Sequence, residues 1–137
     1  KWQILIARGA LLPLLQDEIT LSGHAIEFRL YAEDSVRFLP SPGKISTLNW
    51  NHQAGVRIDS GYDEGGTVTP FYDPMIAKVI IHNGTREEAV ELANRFFKDI
   101  KIEGIKTNVP LILNILSNID FQNGTYTTSF LTKKLVN

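Results

Sequence analysis

Arg57 lies in the run Gly55-Val56-Arg57-Ile58-Asp59, where apolar and charged residues alternate. A guanidinium fixed on a strand is a rigid, permanently charged donor suited to an oxyanion or a carboxylate. The same spacing also allows an exposed Arg57–Asp59 ion pair, which contributes at most about 1 kcal/mol. Glu27 and Arg29 are likewise two apart on one strand face, and pairing with each other or with neighbours accounts for them. Lys78 sits in an apolar strand and must set its ammonium against a carboxylate or carbonyl. Asp73, before Pro74, is a turn former; with Lys78 it could border a cleft. The remaining carboxylate groups are Glu33 with Asp34, Asp59 with Asp63 and Glu64, and Glu87 with Glu88. The last pair falls in the first turn of an expected helix, where the dipole favours negative charge. None of these sets specifies a reaction by itself.

Several chemistries are disfavoured at once. His24, His52 and His82 lie in different segments with neither HxH nor HExxH spacing, so no histidine metal site is expected. Neither a GxxxxGK[ST] loop nor a GxGxxG run occurs, and the acids in Gly61–Gly66 (GYDEGG) oppose a bound phosphate; that loop reads as a hairpin turn. There is no cysteine, which removes thiol catalysis and disulfide stapling and fits an intracellular setting. Fourteen basic residues against fifteen acidic ones give a net charge of −1, so no net field draws nucleic acid or an anionic membrane. The apolar runs near the start fall far short of the ~20 residues a membrane span needs.

The elements that must position these residues are legible from periodicity. A chain of 137 residues fits one domain, 1–137. Trp2, Leu5 and Ile6 fall at helical offsets before Gly9, without a cap at Lys1, as though the chain enters inside a helix. From His24 to Glu33, Ile26, Phe28, Leu30 and Ala32 share one face and Glu27, Arg29, Tyr31 and Glu33 the other, which predicts a strand. Pro40, Pro42 and Gly43 force a turn. Short strands are expected over Ile45 to Leu48, around Val56 to Ile58 with a partner beginning near Thr67, and over Met75 to Ile81. Thr85 with Glu88 forms a capping box before the stripe Ala89, Leu92, Ala93, Phe96, Phe97 and Ile100. Asn108 with Pro110 opens a second helix through Leu116, and Thr127 or Thr128 caps a short last one ending near Leu135. The expected fold is α+β, a mostly antiparallel sheet packed by C-terminal helices.

Taken together, Ile6 to Pro13, GHAIEFRLYAED (Gly23 to Asp34), FLPSPGKI, GVRIDSG, YDPMIAKVI, TREEA and GIKTN resemble, in order, the C-terminal domain of biotin carboxylases. FLPSPGKI and YDPMIAK look most like the acetyl-CoA and acyl-CoA carboxylase branch, while Ser35 stands where many relatives have proline. The resemblance implies a ligase that carboxylates carrier-bound biotin with bicarbonate and ATP. In that family carboxyphosphate breaks down to CO2 and phosphate, and biotin loses its N1′ proton before attacking CO2. Negative charge develops on the ureido oxygen, and the resemblance places Arg57, in GVRIDSG, opposite it as catalytic and substrate-binding residue.

The resemblance further implies an upstream ATP-grasp portion, absent from this sequence, that binds most of ATP and Mg; the domain alone would then be inactive. Implied partners are that portion, a biotin carboxyl carrier protein or domain, a carboxyltransferase and a second copy of the subunit, with no nucleic acid and no membrane. Phe96, Phe97 and Lys98 are candidates for the dimer contact if their helix is not fully buried. The implied location is the cytoplasm, or the mitochondrial matrix in a eukaryote. An alternative is a docking or assembly module for the carrier or a partner subunit, without catalytic residues.

Overall fold

The computed structural model describes residues 1–134. Apolar alternation in β1 and β4 and the more continuous apolar run of β6 build the central strands: β1 (His24–Tyr31), β4 (Val56–Ser60) and β6 (Met75–Asn83) form an antiparallel sheet in the order β1-β6-β4. The register sets Phe28 and Ile58 across from Val79, and Ile26 and Val56 across from Ile81. These residues share the face that meets α2 (Arg86–Asp99). That helix begins as the sequence predicts: Thr85 Oγ1 accepts the Glu88 N–H at 3.2 Å, and Glu88 Oε2 accepts the Thr85 N–H at 3.0 Å. Each such contact satisfies one of the helix's orphan donors.

Phe96 and Phe97 are 0% and 1% exposed, and Phe97 meets Phe28 edge-to-face at 5.0 Å between centroids. They belong to the core, so the proposed dimer contact through these two rings is corrected; of that trio only Lys98 is exposed. Behind α2 lie α3 (Val109–Ser117), α4 (Ile119–Gln122) and α5 (Phe130–Lys134). The sequence carries no separate signal for the short α4, because Asn118 both ends α3 and caps α4 with a side-chain bond to the Asp120 N–H. The expected end near Leu135 lies outside the described residues.

The strand predicted over Ile45–Leu48 forms only from Thr47, and the chain on the two sides of Ile45 pairs with different partners. Gly43–Lys44 (β2) pairs with Thr67–Val68 (β5), while Thr47–Asn49 (β3) pairs with Lys101–Glu103 (β7). Ile45, 0% exposed, sits between them in the core. The strand near Thr67 is therefore no partner of β4, and GYDEGG is no hairpin turn. It turns locally, Gly66 N–H to Asp63 O at 3.0 Å, and crosses to β2 through Ile45 N–H to Gly66 O at 2.8 Å. Alternation revealed the strands but not which edges meet. Residues 1–22 contain no buried residue; α1 (Trp2–Ala7) and the following Leu11, Leu12, Leu15 and Leu21 face outward.

Candidate functional site

The sheet face turned away from α2 carries a charged lattice. One cross-strand row is Glu27–Ile80–Arg57, and the next is Arg29–Lys78–Asp59. The backbone ladder fixes where each side chain leaves the sheet, so these groups sit on a rigid floor rather than on loops.

Arg57 closes on its own strand. Its Nε donates to Asp59 Oδ1 at 3.0 Å and its Nη2 to Asp59 Oδ2 at 2.8 Å, a bidentate fork that uses the most directional donors of the guanidinium. The bond to Asp59 also raises the Arg57 pKa above its ordinary value. The pair predicted from the spacing thus forms, and it occupies the Nε–Nη2 edge of Arg57 and offsets its charge, leaving the Nη1 donors to face other groups.

Arg29 is held more loosely. Its Nε lies 3.7 Å from Glu27 Oε1, beyond hydrogen-bond length, and among the described residues no carboxylate ties its terminal nitrogens. The Tyr31 hydroxyl, and after it Glu27, raise its pKa. Lys78, half-buried between the two arginine strands, makes no ion pair among the described residues. With Asp59, Ser60 and Met75 it lines a cavity of about 580 Å³. Asp73 does not border that cavity; its Oδ1 accepts the Met75 N–H at 2.8 Å and fixes the turn.

Beside the free edge of β1 lies a second cavity, of about 390 Å³, bordered by Arg29, Tyr31, Glu33, Phe38 and Asn108. Burial pushes the Glu33 carboxyl above its usual pKa. Asn108 opens α3 as expected, but its side chain makes no cap bond. Instead Asn108 Oδ1 accepts the Tyr31 N–H at 2.9 Å, and Asn108 Nδ2 donates to the Arg29 carbonyl at 3.0 Å. No local pattern announces this role, since the contact spans 77 residues.

The rest of that segment grips the same strand end. Lys106 Nζ donates to Asp34 Oδ2 at 2.8 Å, and the Lys106 N–H donates to Ser41 Oγ at 3.0 Å. Asp34 also accepts the Val36 and Arg37 N–H groups, each at 3.0 Å. Lys106 first, then these two backbone donors, hold the Asp34 carboxyl well below the usual carboxylate range. Gly104 lets the segment approach: its φ is +94°, and a Cβ there would strike the Lys44 carbonyl.

The histidines lie apart. His82 Nε2 meets the Ser22 carbonyl at 3.0 Å, while His24 Nε2 accepts from Arg86 Nη1 at 3.1 Å. Arg86 also donates to the Phe121 and Gln122 carbonyls, so its work is to bind α2 to α4.

Comparison with known proteins gives a single picture. The sequence model of the family described as biotin carboxylase C-terminal domain matches residues 27–133. A biotin carboxylase of Halalkalibacterium halodurans is 49% identical over 98% of the chain, and one of Haemophilus influenzae is 44% identical over 98%. In both cases the chain spans 30% of the relative's length. Among solved structures, the biotin carboxylase domain dimer of Hydrogenobacter thermophilus 2-oxoglutarate carboxylase, in complex with MgADP, ADP and bicarbonate, superposes with a TM-score of 0.92. It is 37% identical, over 96% of this chain and 29% of that one. A Campylobacter jejuni biotin carboxylase in complex with β,γ-ATP gives a TM-score of 0.90 at 37% identity, over 96% and 29%.

Proposed function

This chain belongs to the biotin carboxylase C-terminal domain family, and from that premise we propose that it completes an ATP-dependent biotin carboxylase by forming one wall of the biotin and bicarbonate site. The observation that carries the reading is the charged face of the β1-β6-β4 sheet, where the Arg29 Nε lies near Glu27 but no carboxylate among the described residues ties its terminal nitrogens. Loss of the ureido proton leaves negative charge on an oxygen, and a fixed cation opposite lowers the cost of forming it. The remainder of the enzyme, an upstream ATP-grasp portion, would bind ATP and Mg. The outward apolar side chains of residues 1–22, with Phe71 and Tyr72 at 85% and 80% exposure, are suited to packing against such a portion. The acetyl-CoA or acyl-CoA branch, a biotin carrier, a carboxyltransferase and a homodimeric parent in the cytoplasm or mitochondrial matrix belong to the same proposal.

Two arginines compete for the anion. The GVRIDSG segment points to Arg57, and the geometry favours Arg29, because Asp59 already takes one edge of the Arg57 guanidinium and offsets its charge. Arg29→Ala and Arg57→Ala in the full-length parent separate them by the rate of biotin carboxylation. On this account Arg29→Ala loses about a hundredfold, the scale of one electrostatic donor to an oxyanion, and Arg57→Ala loses far less. The reverse ranking would return the role to Arg57. Wild-type rates in both, with weakened subunit association, would favour the docking or assembly role.

A further inference from the structure

β1 is an edge strand: one side of its backbone pairs with β6, and the other faces the cavity beside α3. The pairing with β6 slips between Leu30 and Tyr31, immediately after Arg29. An irregularity of this kind re-aims the side chains near it. At this point Asn108 takes the place of a neighbouring strand. Its side-chain amide bonds to the Tyr31 N–H and the Arg29 carbonyl, and its own N–H donates to the Tyr31 carbonyl at 3.2 Å. Asn108 is 6% exposed and is the single buried polar residue among those described, so these backbone groups have no water to fall back on if it is lost. The Lys106 bonds to Asp34 and Ser41 tie the same segment down on the far side of the slip.

We propose that Asn108 is a positioning residue for Arg29: by holding the backbone carbonyl of Arg29 and both backbone polar groups of Tyr31, it sets the direction in which the Arg29 guanidinium leaves the sheet. The proposal rests on the reading of Arg29 as the anion-facing cation. The amide is matched to this task, since it accepts at one end and donates at the other. A carboxylate in its place still accepts from Tyr31 but opposes the Arg29 carbonyl, and serine keeps a donor while falling short of one partner.

The test is a double-mutant comparison in the full-length parent enzyme, using Asn108→Asp and Asn108→Ser, each with Arg29 present and with Arg29→Ala. With Arg29 present, kcat for biotin carboxylation falls about tenfold, the KM for ATP stays unchanged, and the melting temperature identifies the folded enzyme. In the Arg29→Ala background the Asn108 substitutions cause no further loss, because the group they aim is gone. A purely structural role would lower kcat by the same factor in both backgrounds, and that result overturns the proposal, as does unimpaired kcat. If Asn108→Asp fails to fold, Asn108→Ser decides by the same criteria. Wild-type turnover in Arg29→Ala alone overturns the underlying reading, and the proposal with it, and is told apart because no Asn108 variant enters that measurement.

Discussion

Asp59 restrains Arg57, because both of its oxygens are bound to one edge of that guanidinium. Asp59→Asn removes the charge and one acceptor, so it frees Arg57 at little cost to the fold, within about 1 kcal/mol for an exposed pair. Biotin carboxylation in the full-length parent should change little if Arg29 carries the charge, and should rise or fall markedly only if Arg57 faces the substrate. Asp34 supplies a pH prediction. Its folded pKa is depressed by Lys106 and by the Arg37 and Val36 N–H groups, so its stabilising contribution is complete above the unfolded value of about 3.9. It is lost as pH falls through the folded pKa. Lys106→Met should therefore lower stability by a constant amount between about pH 5 and pH 8, and the difference should shrink below about pH 4; acid unfolding followed by circular dichroism checks this. The Arg57–Asp59 pair could be read from a spacing of two on a strand, whereas the looseness of Arg29 and the reach of Asn108 could not. The grip of Asn108 spans 77 residues, a reach for which a single sequence gives no distance, and a spacing of two does not fix whether Arg29 and Glu27 close to hydrogen-bond length.

At the level of elements, local grammar was reliable and pairing was not. The alternation in β1 and the capping box of α2 are each written in a few adjacent residues, and both form. Thr85→Ala should cost about 1 kcal/mol in chemical denaturation, the worth of one N-cap. Phe97→Ala should cost about 3–5 kcal/mol, as expected for emptying a ring-sized volume in a packed core. The splitting of the Ile45 segment between two partners was hidden, because two-residue strands such as β2 and β5 have no period to read. The GIKTN segment shows the other kind of hidden information. Gly104→Ala should destabilise the protein and loosen the Lys106 and Asn108 contacts together, through strain at φ +94° and the clash with Lys44. Hydrogen exchange at the Tyr31 amide, bound to Asn108, reads that loosening directly.

At the scale of the whole molecule, a core under one sheet face coexists with a polar opposite face and an apolar arm in which no residue is buried. Among them, no helix is long and apolar enough to cross a membrane. The chain spans about 30% of its biotin carboxylase relatives, and the arm is where the proposed upstream portion would close over it. Trp2 is 49% exposed, so with every other tryptophan, Trp50 included, replaced by Phe, iodide should quench its fluorescence in the isolated chain and quench it far less in the full-length parent; equal quenching would leave the arm uncovered in both. The ordered motifs identified the family because each preserves local chemistry. The proposed site is not written in them so directly, since the face that would carry it is assembled from three strands. The measurement that bears most directly on this assignment is steady-state kinetics of the full-length parent carrying Arg29→Ala, with biotin and ATP varied separately. The account predicts that biotin carboxylation falls about a hundredfold while the KM for ATP and the melting temperature hold. Unchanged biotin carboxylation, or a loss matched by an equal rise in the KM for ATP, would contradict it.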